Sequence, residues 1–172
     1  MAVNEMSAAD LLDLACQVES NGVEFYRRSA ELASDPKAEQ FLRQLAVMEE
    51  DHLQVFSAMK ENWLARQSAA AEGDQAAQPD ESVRSYLEML ASDRLFDPAG
   101  GPAKTWTGQE RLTDVIARAV EMESDSILFY VGLKEYVPNA DQRAKIDDII
   151  HQEMGHATSL KNLLMQLRDE EK

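Results

Sequence analysis

The sequence predicts an all-α protein: a four-helix bundle of two helical hairpins related by a pseudo-twofold, with a long crossover between the second and third helices. Three observations carry this prediction. No window shows the period-two alternation of a strand. Apolar residues recur at 3-4-3-4 spacing in four long stretches, the mark of a buried helical stripe. Polar residues on those stripes repeat at a fixed offset of 104, so the halves are one pattern written twice.

Glycine and proline concentrate between residues 73 and 108. The 172 residues therefore read as a single domain, with a hairpin over 8–65, a crossover over 66–107 and a second hairpin over 108–168. Ser7 followed by Asp10 opens the first helix, 8–33. Asp35 as N-cap, with Pro36 at the first helical position, opens the second, 36–65. Thr107 followed by Glu110 is a capping box for the third, 108–136. Pro138 stops that helix, and Asn139 with Gln142 opens the fourth, 140–168. The connection holds QSAAAEGDQAAQ, then DESVRSYLEML as a short helix, then the turn-rich DPAGGPAKT before Trp106. If helices two and three run parallel, it must travel the bundle's length, roughly 40 Å for a helix of about 27 residues.

The stripe of the second helix is Leu42, Leu45, Glu49, His52, Phe56, Met59 and Trp63. That of the fourth is Ile146, Ile149, Glu153, His156, Leu160, Leu163 and Leu167. Both are apolar except at their centres. The first helix presents Leu12, Ala15, Glu19, Tyr26 and Ala33, and the third Ile116, Ala119, Glu123, Tyr130 and Val137. Glu19 and Glu123, Tyr26 and Tyr130, Glu49 and Glu153, and His52 and His156 are each 104 apart.

Four carboxylates gathered in an apolar interior are strongly destabilising, because a buried charge without a partner costs on the order of several kcal/mol and like charges compound it. Something positive must sit among them. Two divalent cations cancel four ionised glutamates, and two neutral imidazoles complete the donors without adding charge. Glu-x-x-His on one helical face aims both side chains at one ion, an arrangement used by carboxylate di-iron bundles. The expected ligands are Glu19, Glu49, His52, Glu123, Glu153 and His156.

At QVESNGVEFYRRSA, VMEEDH, VEMESDSILFY and HQEMGH the sequence resembles the ferritin-like superfamily, in its rubrerythrin and bacterioferritin branch. The resemblance covers all four helices and implies a ferritin-like bundle with two iron ions that meet dioxygen or hydrogen peroxide. It implies that Glu49 and Glu153 bridge the metals, with Glu19 and His52, and Glu123 and His156, as terminal ligands. Typical rubrerythrins carry a rubredoxin-like tail with four cysteines, whereas this sequence ends in QLRDEEK, so a separate electron donor is expected. The extra glutamate that rubrerythrins place three residues from the helix-three ligand is absent, with Val120 and Ser126 at those positions. The ligand set is thus more like that of bacterioferritin. A homodimer is an assembly the resemblance suggests.

Bland readings stand beside these. One Glu-x-x-His in an acidic helix is usually a solvent-facing coincidence. Two copies at one offset, each with a glutamate 30 residues upstream and all on apolar stripes, favour ligands. Tyr26 and Tyr130 each follow a ligand glutamate by seven residues, two turns along the same face. They read either as core residues whose hydroxyls bond a ligand carboxylate or as redox-active phenols beside the metals. His151 and Glu121 lie about 200° around their helices from Glu153 and Glu123 and belong to the surface. Cys16, aligned with Val120, reads as a small buried filler, and Trp63, Met48, Met59 and Met165 as packing.

With 17 basic and 32 acidic residues the formal net charge is −15, which argues against a broad positive surface for nucleic acid or anionic membrane. No run approaches the ~18 apolar residues of a membrane span, and MAVNEMSAAD lacks a secretory signal's basic patch and apolar stretch. Cys16 is the single cysteine, which excludes a disulfide framework within the chain and any paired Cys-x-x-Cys site. A reducing, cytoplasmic compartment is expected. Three functions fit: a di-iron oxidoreductase of ferroxidase or peroxidase type, an iron-storage ferroxidase in a larger assembly, and a non-catalytic helical module. Zinc or manganese suits the same donors.

Overall fold

The computed structural model describes residues 7–69, 81–92 and 110–170. These form α1 (Ala8–Leu32), α2 (Pro36–Ala69), α3 (Glu81–Ser92), α4 (Leu112–Leu133) and α5 (Ala140–Glu170), with a 3₁₀ turn at Lys134–Tyr136 after α4. No strand occurs among the described residues. Helices α1, α2, α4 and α5 are the four expected of the bundle, and α3 is the short helix of the crossover. Among the described residues no helix is long and apolar enough to cross a membrane.

Local chemistry sets most of the boundaries. Ser7 and Asp10 form a capping box on α1: Asp10 N donates to Ser7 Oγ at 3.2 Å, and Ser7 N donates to Asp10 Oδ2 at 2.8 Å. Ala38 N donates to Asp35 Oδ2 at 3.0 Å ahead of α2, where Pro36 is the first helical residue. Gln142 N donates to Asn139 Oδ1 at 3.0 Å at the start of α5. Helix α4 departs from expectation. It starts at Leu112 rather than 108, because Arg111 is extended at φ −71, ψ 139 and its side chain makes no cap. The Arg111 guanidinium instead donates to Thr113 Oγ1 from Nε and Nη2. Thr107, the expected cap, lies outside the described residues, as do DPAGGPAKT, Trp106 and most of QSAAAEGDQAAQ.

Packing follows the stripes. Helix α1 lies along α2, α4 lies along α5, and contacts of α1 with α4 and α2 with α5 close the bundle. Leu12, Leu42, Phe56, Ile116, Ile146 and Leu160 are among the fully buried side chains, each contributing about 1.5–3 kcal/mol of transfer free energy. Helix α3 seats Leu87 on α4 at Gly132, where an added Cβ would stand 2.8 Å from Leu87 Cδ2. Only glycine admits that approach.

Two packing expectations need correction. Met165 is 59% exposed, because it lies off the Leu160, Leu163 and Leu167 stripe. Cys16 is half-buried rather than buried, its Sγ 3.6 Å from Ser57 Oγ. Burial holds its thiol above the ordinary range, which suits packing rather than nucleophilic use. Met59 is buried, and Met48 and Trp63 are half-buried.

Candidate metal centre

Each bundle helix lends one buried glutamate to the middle of the core, and α2 and α5 add a histidine one turn on. Glu19, Glu49, His52, Glu123, Glu153 and His156 are all no more than 5% exposed. They form two overlapping groups of donor atoms. Glu19, Glu49, His52 and Glu153 make one, and Glu49, Glu123, Glu153 and His156 the other, with the donors of each within 4.8 Å of one another. Glu49 and Glu153 belong to both groups. That is the sharing the resemblance implied, and it arises because α2 and α5 face each other across the pseudo-twofold.

The imidazoles lie against each other with ring centroids 5.8 Å apart and planes inclined by 22°. His52 Nδ1 is 3.0 Å from Glu153 Oε1, 3.7 Å from Glu19 Oε2 and 3.9 Å from Glu49 Oε2. His156 Nδ1 is 2.9 Å from Glu153 Oε2, 3.3 Å from Glu49 Oε1 and 3.7 Å from Glu123 Oε1. Each Nδ1 thus faces three carboxylates, one terminal and two shared.

Burial drives the electrostatics. It pushes Glu19 and Glu123 well above the usual carboxylate range, Glu49 adding its charge at Glu19 and Glu153 its own at Glu123. Burial opposes the charged form of His52, yet hydrogen bonding to Glu153 and Glu19 prevails and raises it to about 11. The same contest at His156, with Glu153 and Glu49 as partners, ends at about 9. Glu153 is held far below its ordinary value because its bonds to His156 and His52 outweigh its burial. The protein groups therefore collect protons where positive charge is needed, and a divalent cation is the stronger substitute.

The donors fit a metal pair on a direct test. Among the described residues, buried Glu19 Oε2, Glu49 Oε1, His52 Nδ1 and Glu153 Oε1 have no well-aligned hydrogen bond and meet only the close histidine–carboxylate approaches above, although such groups are rarely left so poorly satisfied. All four belong to residues of the first group. A hard-to-borderline cation answers carboxylate oxygens and imidazole nitrogen together.

The tyrosines cross the pseudo-twofold. Tyr26 on α1 donates to Glu123 Oε1 on α4, and Tyr130 on α4 donates to Glu19 Oε1 on α1, the latter at 2.5 Å. Each bond reaches the glutamate of the other half. Burial, then the neighbouring carboxylate, pushes both phenols well above their ordinary values, so they stay protonated donors. Phe56 and Phe129 pack on the Tyr130 ring at 4.9 and 5.7 Å, and Phe25 meets Tyr26 at 5.4 Å.

Two residues with no predicted role also bear on the site. Gly22 lets the Glu49 carboxylate approach α1, since an added Cβ would meet Glu49 Oε2 at 3.2 Å. A cavity of about 20 Å³ lies there, lined by Gly22, Tyr26, Glu49, Met122, Glu123 and Ser126. Gln152, on the surface of α5, places Oε1 3.2 Å from His52 Nε2. A glycine inside a helix was a signal that could have been read; an exposed glutamine was not. His151 and Glu121 are exposed as expected, His151 bonding the Asp147 carbonyl and Glu121 pairing with Arg118.

A family model described as Rubrerythrin matches residues 10–164. The chain belongs to the rubrerythrin family. A crystal structure described as a ferritin-like diiron-carboxylate protein from Thermotoga maritima resembles it with a TM-score of 0.67 and 24% identity, covering 94% of this chain and 96% of that one. At that identity the likeness speaks for the fold, which is ferritin-like. No curated protein sequence matches. In this rubrerythrin-family chain the buried glutamates and histidines fit a metal site.

Proposed function

We propose that this rubrerythrin-family chain is a di-iron carboxylate oxidoreductase that reduces dioxygen or hydrogen peroxide. The observation that carries the reading is the membership of Glu49 and Glu153 in both donor groups. Shared carboxylates hold two cations side by side, which suits two-electron chemistry. Two bound ferrous ions supply two electrons, enough with two protons to take dioxygen to hydrogen peroxide or hydrogen peroxide to two waters.

The residues divide the work. Glu19 with His52 and Glu123 with His156 would hold one position each, and Glu49 and Glu153 would serve both. Tyr26 and Tyr130 fix the rotamers of Glu123 and Glu19 by hydrogen bonding to them. Each bonded carboxylate also accepts the phenol proton if that tyrosine gives up an electron. The cavity beside Glu49 and Glu123 has room for a molecule the size of water or dioxygen, given that roughly 10–15 Å³ suffices for a water. An electron donor returns the electrons for turnover.

Anaerobic titration of metal-free protein with Fe²⁺, followed by air or hydrogen peroxide in separate runs, tests the reading by absorbance. Saturation at two irons per chain and a ferric oxo-bridged spectrum is expected, and the faster oxidant names the physiological class. Binding of two irons with no oxidation by either oxidant would leave a metal-stabilised helical module.

A further inference from the structure

The two halves of the centre are copies in their ligands but not in what stands behind them. His52 Nε2 lies 3.2 Å from Gln152 Oε1. The oxygen can only accept, so Nε2 carries a hydrogen, and Nδ1, which faces Glu19, Glu49 and Glu153, is the nitrogen left to give up its proton to a cation. His156 Nε2 is buried with no hydrogen-bond partner among the described residues. Position 48, which the offset of 104 pairs with 152, holds Met48, and a thioether is a poor acceptor. For His156 to offer Nδ1 to a cation, it must place its hydrogen on an Nε2 that nothing receives.

Resting on the di-iron reading, we propose that Gln152 makes the two metal positions unequal, so that the one formed by Glu19 and His52 fills before the one formed by Glu123 and His156. Gln152 is a positioning residue. It holds the His52 ring in place before any ion arrives and keeps the hydrogen on Nε2 when a cation displaces the one on Nδ1, and outer-shell partners of this kind change metal affinity by about 10–100-fold. The ion at the first position then holds Glu49 and Glu153 for the second. Loading is ordered, with one stable singly loaded form.

The experiment is an anaerobic Co²⁺ titration of the metal-free full chain against a competing chelator, read by visible absorbance. Wild-type protein should show two steps separated by about tenfold or more. Gln152→Met should weaken binding at the first position about 10–100-fold and close the gap between the two steps. Gln152→Glu, which keeps an acceptor oxygen, should retain the first step. Met48→Gln should strengthen the second. Gln152 is exposed and Met48 half-buried, and unchanged circular dichroism verifies that the variants leave the core closed. Two equal steps in wild type, a tighter second step, or Gln152→Met leaving both steps untouched would overturn the proposal. Absence of any saturable Co²⁺ binding would instead strike the metal reading on which it rests.

Discussion

Tyr26 bonds Glu123 while Tyr130 bonds Glu19, and this reciprocity fixes the direction of the chain. Each tyrosine lies seven residues, about 10 Å at 1.5 Å rise, beyond the glutamate of its own helix. In parallel helices the two bonds would have to reach in opposite axial directions, each across two turns. In antiparallel helices both close at once. Helices α1 and α4 therefore run antiparallel, so α2 and α4 run parallel and the connection between them must travel the length of the bundle.

Tyr26→Phe should cost stability and metal affinity together. It removes a buried hydrogen bond to a carboxylate, worth about 1.5–3 kcal/mol, and frees Glu123 to turn away from its position. The melting temperature should fall by roughly 2–4 °C for each kcal/mol lost. If Tyr26 only holds Glu123, the oxidation rate at saturating iron stays at the wild-type value; a large fall in that rate identifies the phenol as an electron donor.

Glu153→Gln and Glu19→Gln should differ in kind. Glu153 serves both donor groups and Glu19 one. Equilibrium dialysis should show Glu153→Gln weakening both metals by more than about 100-fold, beyond the usual outer-shell effect. Glu19→Gln should weaken one metal strongly and leave close to one equivalent bound. Equal effects from the two substitutions would contradict the shared role.

Gly22→Ala separates stability from binding. In a helix interior alanine is favoured over glycine by about 1 kcal/mol, and the atoms its Cβ meets, Oε2, Cγ and Cδ of Glu49 at 3.2–3.4 Å, need give way by only a few tenths of an ångström. Metal-free protein should melt slightly higher, while its metal affinity falls as Glu49 is displaced. Gly132→Ala should only destabilise, by about 1–3 kcal/mol, because its Cβ would strike buried Leu87.

The pH dependence should change sign with metal. Without metal, His52 keeps its proton to about 11 and His156 to about 9, against 6.5 in the unfolded chain. That stability is complete below 6.5 and is lost as pH rises through those folded values. Glu19 and Glu123, also raised, act with the same sign above 4.5. Glu153, held low, adds stability that acid removes below 4.5. Metal-free protein should therefore be most stable between 4.5 and 6.5 and melt at lower temperatures as pH rises toward 9. Since metal displaces these protons, metal affinity should instead rise with pH. Thermal melts with chelator or metal check both slopes.

Much of this was legible in the sequence because it rests on periodicity. A glutamate in an apolar stripe, repeated at one offset with histidine beside it, identifies the buried cluster before any coordinate does. The pairing of Tyr26 with Glu123 was not legible, since it depends on helix direction, and the spacing alone suggested only that each hydroxyl meets some carboxylate. Gln152 was hidden for another reason: an exposed glutamine on an acidic helix looks like any solvated residue until His52 is seen behind it. The start of α4 was misread because Thr107 and Glu110 match a capping box, whereas Arg111 is extended and the helix begins beyond it.

The most direct test of the paired centre is anomalous scattering from crystals of iron-loaded protein, recorded on both sides of the iron absorption edge. Two peaks per chain are predicted, one within reach of Glu19 and His52, the other of Glu123 and His156, and both touching Glu49 and Glu153. A single peak, or iron only on the acidic surface, would contradict the account.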